Sequence, residues 1–341
     1  MRGNKVDPAA VAKKIHVPTY EEIMERIRKR YPRKGKPFER SMASIQIVRD
    51  IIISRTDFIR ELVRTLDNLH AFYWRLIEIE FDRDEIRKAI KCVSASRKIT
   101  DKIFNKYKFL LMAASDRREL ARVAGEARGR MMSSIKRCRR SLEIIRELVV
   151  FMQRLPAIDP ELPTIIVAGP PSSGKSTLVR SVSRAKPEVA SYPFTTKQIH
   201  IGHFTINDIT FQIIDTPGIL DRPLEEMNPI ERKAAAALSE LNGIVLFLVD
   251  PTPDAYMDLQ RQLKLAENVA LLAGGKTMVI AVNKVDVASP KSVEAARRLF
   301  RDLEERGVVA GVYEVVAHDR RRARELIEKV APLAVELSRQ T

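Results

Sequence analysis

Cysteine is scarce in this sequence: 341 residues contain Cys92 and Cys138 and no others. A disulfide framework is excluded, and both residues, set in charged helical-looking stretches, are expected to be reduced packing thiols of a cytosol-like compartment. Tryptophan occurs once and aromatics make up 6%, too few for a surface that stacks on single-stranded bases. No apolar run approaches the ~18 residues of a membrane span. Behind Arg2 and Lys5, the segment Met1 to Val11 has no apolar core. Neither a secretory leader nor a membrane partner is expected, and the expected location is cytoplasmic.

Charge is what the sequence has in excess: 60 Lys and Arg against 44 Asp and Glu, a net +16. Residues 1–160 hold 37 basic and 21 acidic residues, whereas 161–341 hold 23 of each. All the excess therefore lies in the first half. A basic half joined to a neutral one suits a polyanion partner on one side and separate work on the other, with phosphate-backbone or structured RNA contact favoured over base stacking. Lys136, Arg137, Arg139 and Arg140, with Arg128 and Arg130, form a candidate stripe; its bland reading is a solvated helical surface.

The pattern changes at Leu155-Pro156-Ala157-Ile158-Asp159-Pro160. Arg40 to Glu80 contains neither Pro nor Gly, and Ile52, Ile59, Leu62, Leu66, Leu69 and Tyr73 recur as one face of a long helix would. A second helix is predicted over Asp82 to Ala114. A third starts from a cap at Ser115-Asp116 and carries Leu120, Ala127, Met131, Ile135, Cys138, Leu142, Ile145, Val149 and Met152 along one seam. Three such helices can bury their seams only against each other, as an antiparallel bundle. A shorter helix is predicted around Thr19 to Tyr31, and Phe72, Tyr73 and Trp74 read as bundle core. The expected organisation is a helical domain over 1–155 and an α/β domain with a mostly parallel sheet over 156–341.

After Pro163 the pattern becomes strand, loop, helix. Thr164 to Ala168 is a short β-branched run of the buried parallel type, followed at once by Gly169-Pro170-Pro171-Ser172-Ser173-Gly174-Lys175-Ser176-Thr177. Such a loop surrounds a β-phosphate with backbone N–H groups at a helix N-terminus; Lys175 reaches the β/γ oxygens and the Ser176 hydroxyl ligates magnesium. A second strand ends in Asp215-Thr216-Pro217-Gly218, where Asp215 would hold magnesium through water and the Gly218 amide would sense a γ-phosphate. A third, Thr277 to Val282, delivers Asn283-Lys284-Val285-Asp286. An ionised Asp286 suits a base edge with two adjacent donors, which guanine has and adenine lacks; Lys284 can lie along the ring and Asn283 can brace the loops.

At these residues the sequence resembles GTPases of the Obg superfamily and, within it, the Nog subfamily, the nucleolar GTP-binding protein 1 group and its archaeal counterparts. Ser191-Tyr192-Pro193-Phe194-Thr195-Thr196 is similar to the first switch of that class, and Asp215 to Asp221 with Pro223-Leu224-Glu225 to its second. The likeness extends through the helical half to Arg154 to Asp159. It implies a GTPase binding GTP, GDP and Mg2+, acting in large ribosomal subunit assembly with the basic helices on ribosomal RNA, beside other assembly factors and as a monomer. One of Thr195 and Thr196 is expected to ligate magnesium; the spacing does not choose between them.

Four departures accompany the resemblance. Members usually carry Asn-Val where this chain has Ser172-Ser173, and that asparagine is associated with a bound K+, so potassium stays open as a cofactor. Ile219 stands where Ras-like proteins place a water-orienting Gln, so slow intrinsic hydrolysis, raised by the ribosomal particle, is expected. The last guanine loop usually reads Ser-Ala; here Val316-Ala317-His318 leaves the Ala317 amide as the base contact. Eukaryotic members continue for a long C-terminal region, whereas this sequence stops soon after a helix predicted from Arg320 to Leu337. Two alternatives stay open at this level: an RNA-binding assembly factor using GTP as a structural ligand, and a GTPase of tRNA or RNA modification. His200 and His203, without cysteines beside them, read as surface or core residues rather than ligands.

Overall fold

The computed structural model of the chain describes residues 7–195 and 198–338. It runs α1 (Pro8–Ala12), α2 (Tyr20–Lys29), α3 (Pro37–Arg55), α4 (Phe58–Asp67), α5 (Ala71–Ile77), α6 (Arg83–Ala113), α7 (Arg117–Lys136) and α8 (Arg139–Met152). The second half alternates: β1 (Thr164–Ala168), α9 (Lys175–Val182), β2 (Glu188–Ser191), β3 (Gln198–Ile206), β4 (Ile209–Asp215) and α10 (Pro229–Ala237). It closes with β5 (Gly243–Val249), α11 (Leu259–Leu272), β6 (Met278–Val282), α12 (Pro290–Glu305), β7 (Val312–Glu314) and α13 (Arg320–Ser338). Two compact units result: residues up to Leu69 with Glu80–Gln153, and His70–Ile79 with everything from Arg154 onward. Among the described residues no helix is long and apolar enough to cross a membrane.

In the helical unit α6 packs on α3, α7 and α8, and the predicted third seam is buried from Ala127 through Met152. The Asp116 carboxylate caps α7 by accepting the Glu119 N–H at 2.8 Å, while Thr19 and Glu22 form a capping box on α2. The single long helix expected over Arg40 to Glu80 is instead α3, α4 and α5. Side chains cause both breaks. Arg97, 8% exposed, donates to the Ile53 carbonyl at 2.7 Å, Thr56 Oγ1 at 3.0 Å and Asp57 Oδ1 at 2.8 Å, satisfying a carbonyl that a continuing helix would have used. Before α5, Asn68 donates to the Arg64 carbonyl at 2.7 Å and His70 Nδ1 accepts the Phe72 N–H at 3.1 Å.

Two expectations need correction. Cys92 and Cys138 are joined by a disulfide, their Cα atoms 5.7 Å apart. A separation of 46 residues does not reveal this approach. It follows from the antiparallel return of α7 along α6, where Ser96 and Thr100 meet Ser134 at 3.0 and 3.3 Å one and two turns further on. Phe72 and Tyr73 are buried, yet with the α/β unit rather than in the bundle. The Tyr73 hydroxyl lies 3.1 Å from the Pro156 carbonyl and 2.5 Å from that of Ile158, and α5 packs on α10, with Arg75 Nε donating to Glu240 at 2.9 Å.

The sheet of the second unit has the order β2-β3-β4-β1-β5-β6-β7 among the described residues. Pairing is parallel from β4 through β7 and antiparallel at β2/β3 and β3/β4. β1, β5 and β6 are buried at every position, as strands covered on both faces must be. α9 and α13 lie against one side, with Leu178, Val179, Ala323, Ile327 and Val330 in a shared core with Ile165, Val167 and Leu246. Because β4 and β5 flank β1 on opposite sides, the crevice at its C-terminal end is the switch point where doubly wound sheets hold ligands.

Arg97→Ala should leave the Ile53 carbonyl and the Asp57 carboxylate short of a donor and lower stability by about 2–4 kcal/mol. Urea unfolding of the full chain checks this: the midpoint should fall at an unchanged m-value.

Candidate functional site

Three loops meet at this end of the sheet, after β1, β4 and β6. The first turns tightly: Gly169 has φ +134°, and a Cβ there would sit 2.5 Å from the Leu248 carbonyl oxygen. Gly174, at φ +100°, opens α9 with the Asn283 side-chain amide where its Cβ would be, 2.3 Å away. Lys175, 6% exposed, donates from Nζ to the carbonyls of Gly169 at 2.7 Å and Pro170 at 2.8 Å. Ser172 takes a left-handed φ of 62°, Ser173 is fully buried with no partner for its hydroxyl among the described residues, and Thr177 is exposed.

The second loop brings Asp215, fully buried, against α9: Ser176 Oγ donates to Asp215 Oδ2. His200 Nδ1 lies 3.4 Å from the same oxygen, and among the described residues Asp215 Oδ1 has no hydrogen-bond partner. A buried carboxylate oxygen without a donor, beside a serine hydroxyl, is a donor set that fits a hard divalent cation such as Mg2+. Thr216 Oγ1 donates to the Val167 carbonyl at 2.9 Å, tying this loop to β1. The Gly218 N–H donates to Asp221 Oδ2 at 2.7 Å. Ile219 is 2% exposed, packed rather than presented.

Of the first-switch residues, Tyr192 is buried and donates to the Ala234 carbonyl on α10 at 2.8 Å; burial pushes its phenol far up, so it stays a neutral donor. Thr195 Oγ1 donates to the Tyr192 carbonyl at 3.1 Å. Thr196 lies outside the described residues.

The third loop is held by Asn283, 2% exposed. Its Nδ2 donates to the Ser173 carbonyl at 2.7 Å and its Oδ1 accepts the Ala317 N–H at 2.9 Å. Lys284, in left-handed conformation at φ 60°, is ion-paired to buried Asp250 at 2.5 Å. Asp286 is exposed, with His318 Nε2 3.8 Å away. Asp250 was not anticipated. Its Oδ1 also accepts Thr252 Oγ1 at 2.6 Å, and fully buried Gln262 clamps its backbone by accepting Asp250 N–H at 2.9 Å and donating to its carbonyl at 2.8 Å. A signal was present: an aspartate ending the uninterrupted apolar run of β5 stands at the ligand edge of such a sheet.

In the helical unit much of the candidate basic stripe is committed internally. Arg128 donates to Ser44 at 2.7 Å and lies over the Tyr31 ring; Arg130 pairs with Glu126, Arg139 with Glu21 and Arg140 with Glu143. Lys136 and Arg137 have no ion pair among the described residues and are exposed.

A phosphate-type loop after β1, an aspartate at the end of β4 and an Asn-Lys-x-Asp loop after β6 define a P-loop GTPase domain of Obg type. The family described as 50S ribosome-binding GTPase matches residues 164–284, and that of the NOG1 N-terminal helical domain matches 13–159. The chain belongs to the NOG1 group of P-loop GTPases. It is similar to nucleolar GTP-binding protein 1 of Caenorhabditis elegans, 31% identical over 86% of this chain and 45% of that protein. The Drosophila melanogaster protein of the same name is 36% identical over 68% of this chain and 36% of its own length. A solved structure from Plasmodium falciparum, titled a putative nucleolar GTP-binding protein 1, is 29% identical over 53% of this chain and 91% of that one, at a TM-score of 0.46. The chain spans less than half the length of these curated relatives. The expected cytoplasmic location is overturned by their names, which place such proteins in the nucleolus.

Asn283→Ala should remove two loop-bridging hydrogen bonds at once and weaken GTP and GDP alike, by about 30- to 140-fold at ~1–1.5 kcal/mol per bond. Titration with fluorescent nucleotides measures it.

Proposed function

We propose that this chain is a GTP-hydrolysing switch in large ribosomal subunit assembly whose basic helical half contacts pre-ribosomal RNA. The observation that carries it is the convergence of Lys175, Ser176, Asp215 and Asn283 from three loops onto one crevice, in a chain whose first half holds all the excess positive charge.

In this reading the loop Gly169 to Thr177 wraps the phosphates with its N–H groups from Ser172 onward, Ser172, Ser173 and Gly174 forming the turn. Lys175, which already caps two carbonyls of the loop, turns its ammonium to the β/γ oxygens. Ser176, Asp215 and the first-switch threonine, Thr195 or Thr196, would hold Mg2+, which supplies charge neutralisation on the β- and γ-phosphates. The Gly218 N–H meets the γ-phosphate. Asp286 accepts the two guanine donors, Ala317 offers its amide to the base, and Lys284 lies along the ring, braced by Asp250. Packed Ile219 holds no water, so hydrolysis is slow until an assembly particle supplies the missing positioning.

Three measurements test the proposal. Asp286→Asn should exchange guanine for xanthine preference, because an amide can donate where a carboxylate could only accept; wild type binding ATP as tightly as GTP would refute the base assignment. Single-turnover hydrolysis should accelerate with large ribosomal subunits and not with small ones. The full chain should bind large-subunit RNA with an affinity that falls about 1000-fold between 50 and 200 mM salt if some six phosphates are neutralised. Reversing Lys136 and Arg137 to Glu should flatten that slope; salt-insensitive binding would return the basic half to a solvated surface.

A further inference from the structure

The Gly218 N–H, the group that meets a γ-phosphate under the function proposed above, already serves an anion in this structure. It donates to Asp221 Oδ2 at 2.7 Å, and Asp221 is 4% exposed. The carboxylate is held there by its neighbours. Ile219 and Leu220, 2% and 4% exposed, anchor the turn; their N–H groups both donate to the Thr216 carbonyl, at 3.2 and 3.3 Å. The Leu220 carbonyl accepts the Gly169 N–H at 3.2 Å, which ties the segment carrying Asp221 directly to the phosphate loop.

We propose that Asp221 is a built-in competitor for the γ-phosphate, and that it sets the preference of this site between GTP and GDP. One N–H has one hydrogen. A γ-phosphate oxygen and the Asp221 carboxylate cannot both take it, and two anions at that distance repel in a water-poor crevice. GTP must therefore displace Asp221, whereas GDP has no atom at that position and leaves the contact intact. The penalty falls on the triphosphate alone. The short bond also shows that the Gly218 amide is built to receive an anion, which deepens the nucleotide reading on which this proposal rests.

The test uses the full chain with Mg2+ and fluorescent GDP and non-hydrolysable GTP analogues. Asp221→Asn keeps the size and an acceptor oxygen but removes the charge. It should tighten the GTP analogue about tenfold, the difference between a charge-assisted and a neutral hydrogen bond, with GDP within about twofold. Asp221→Glu, which retains the charge, should stay nearer the wild-type ratio, and Asp221→Ala should tighten GTP in the same direction if it folds. An unchanged ratio, or equal weakening of both nucleotides, would show a purely structural carboxylate and overturn the proposal. Selective weakening of GTP would overturn it in the other sense, making Asp221 a helper of the triphosphate state. The GDP arm separates this from the underlying reading: wild type that binds neither nucleotide refutes the site itself, whereas tight GDP binding with an insensitive ratio refutes only the role of Asp221.

Discussion

Asn283 donates one hydrogen bond and accepts another, and the candidate site rests on that pair. Through Ser173 it fixes the loop after β1, through Ala317 the loop after β7, and its own backbone begins the loop after β6. A planar amide with a donor and an acceptor on one carbon can do this; a carboxylate would have nothing to give the Ser173 carbonyl, and a shorter side chain would reach one loop at most. Gly174 follows from the same contact, since the amide occupies the space a β-carbon would need. The loops proposed to hold phosphate and base are thus registered to each other by one side chain at the end of buried β6.

Around this core sits a second layer of polar fixings that act on backbone rather than on any ligand. Gln262 locks Asp250, Asp250 locks Lys284, and Thr216 locks the β4 loop to β1. Each is buried and satisfied, the condition under which polar groups in an apolar surround rigidify instead of destabilising. Tyr192 extends the layer further by fastening the segment after β2 to α10.

The parts of this arrangement legible in the amino-acid sequence are those where a motif dictates chemistry at fixed spacing. Gly169 to Thr177, Asp215 to Gly218 and Asn283 to Asp286 stand together because the backbone geometry they need follows from their residue types. The parallel strands were readable from β-branched runs, and the third-helix seam from its period. What stayed hidden depends on partners distant in sequence. Helix breaks at Thr56-Asp57 and Asn68 to His70 use no Gly or Pro; they come from Arg97 arriving from α6 and from local side-chain caps. The disulfide requires knowing which faces of α6 and α7 approach. Asp250 could be placed at the end of an apolar run, but its role depends on Lys284, 34 residues further along; the contacts of Asp221 with Gly218 and of Gln262 with Met257 are local and follow from loop conformations that no motif dictates. The charge asymmetry was readable as a total; its partition into paired and unpaired arginines was not.

The placement of α5 bears on how the chain is made. Phe72, Tyr73, Leu76 and Ile77 are buried in the second unit, yet they leave the ribosome long before the carbonyls of Pro156 and Ile158, the α10 helix and Glu240, which they pack against. Synthesis proceeds from the N-terminus and domains close as they emerge. α6, α7 and α8 can complete their unit first, with the ten residues from His70 to Ile79 looped out and their apolar face in water, until the chain beyond residue 240 exists to cover it. Biosynthesis thus opens an interval in which one short amphipathic helix waits for its partner.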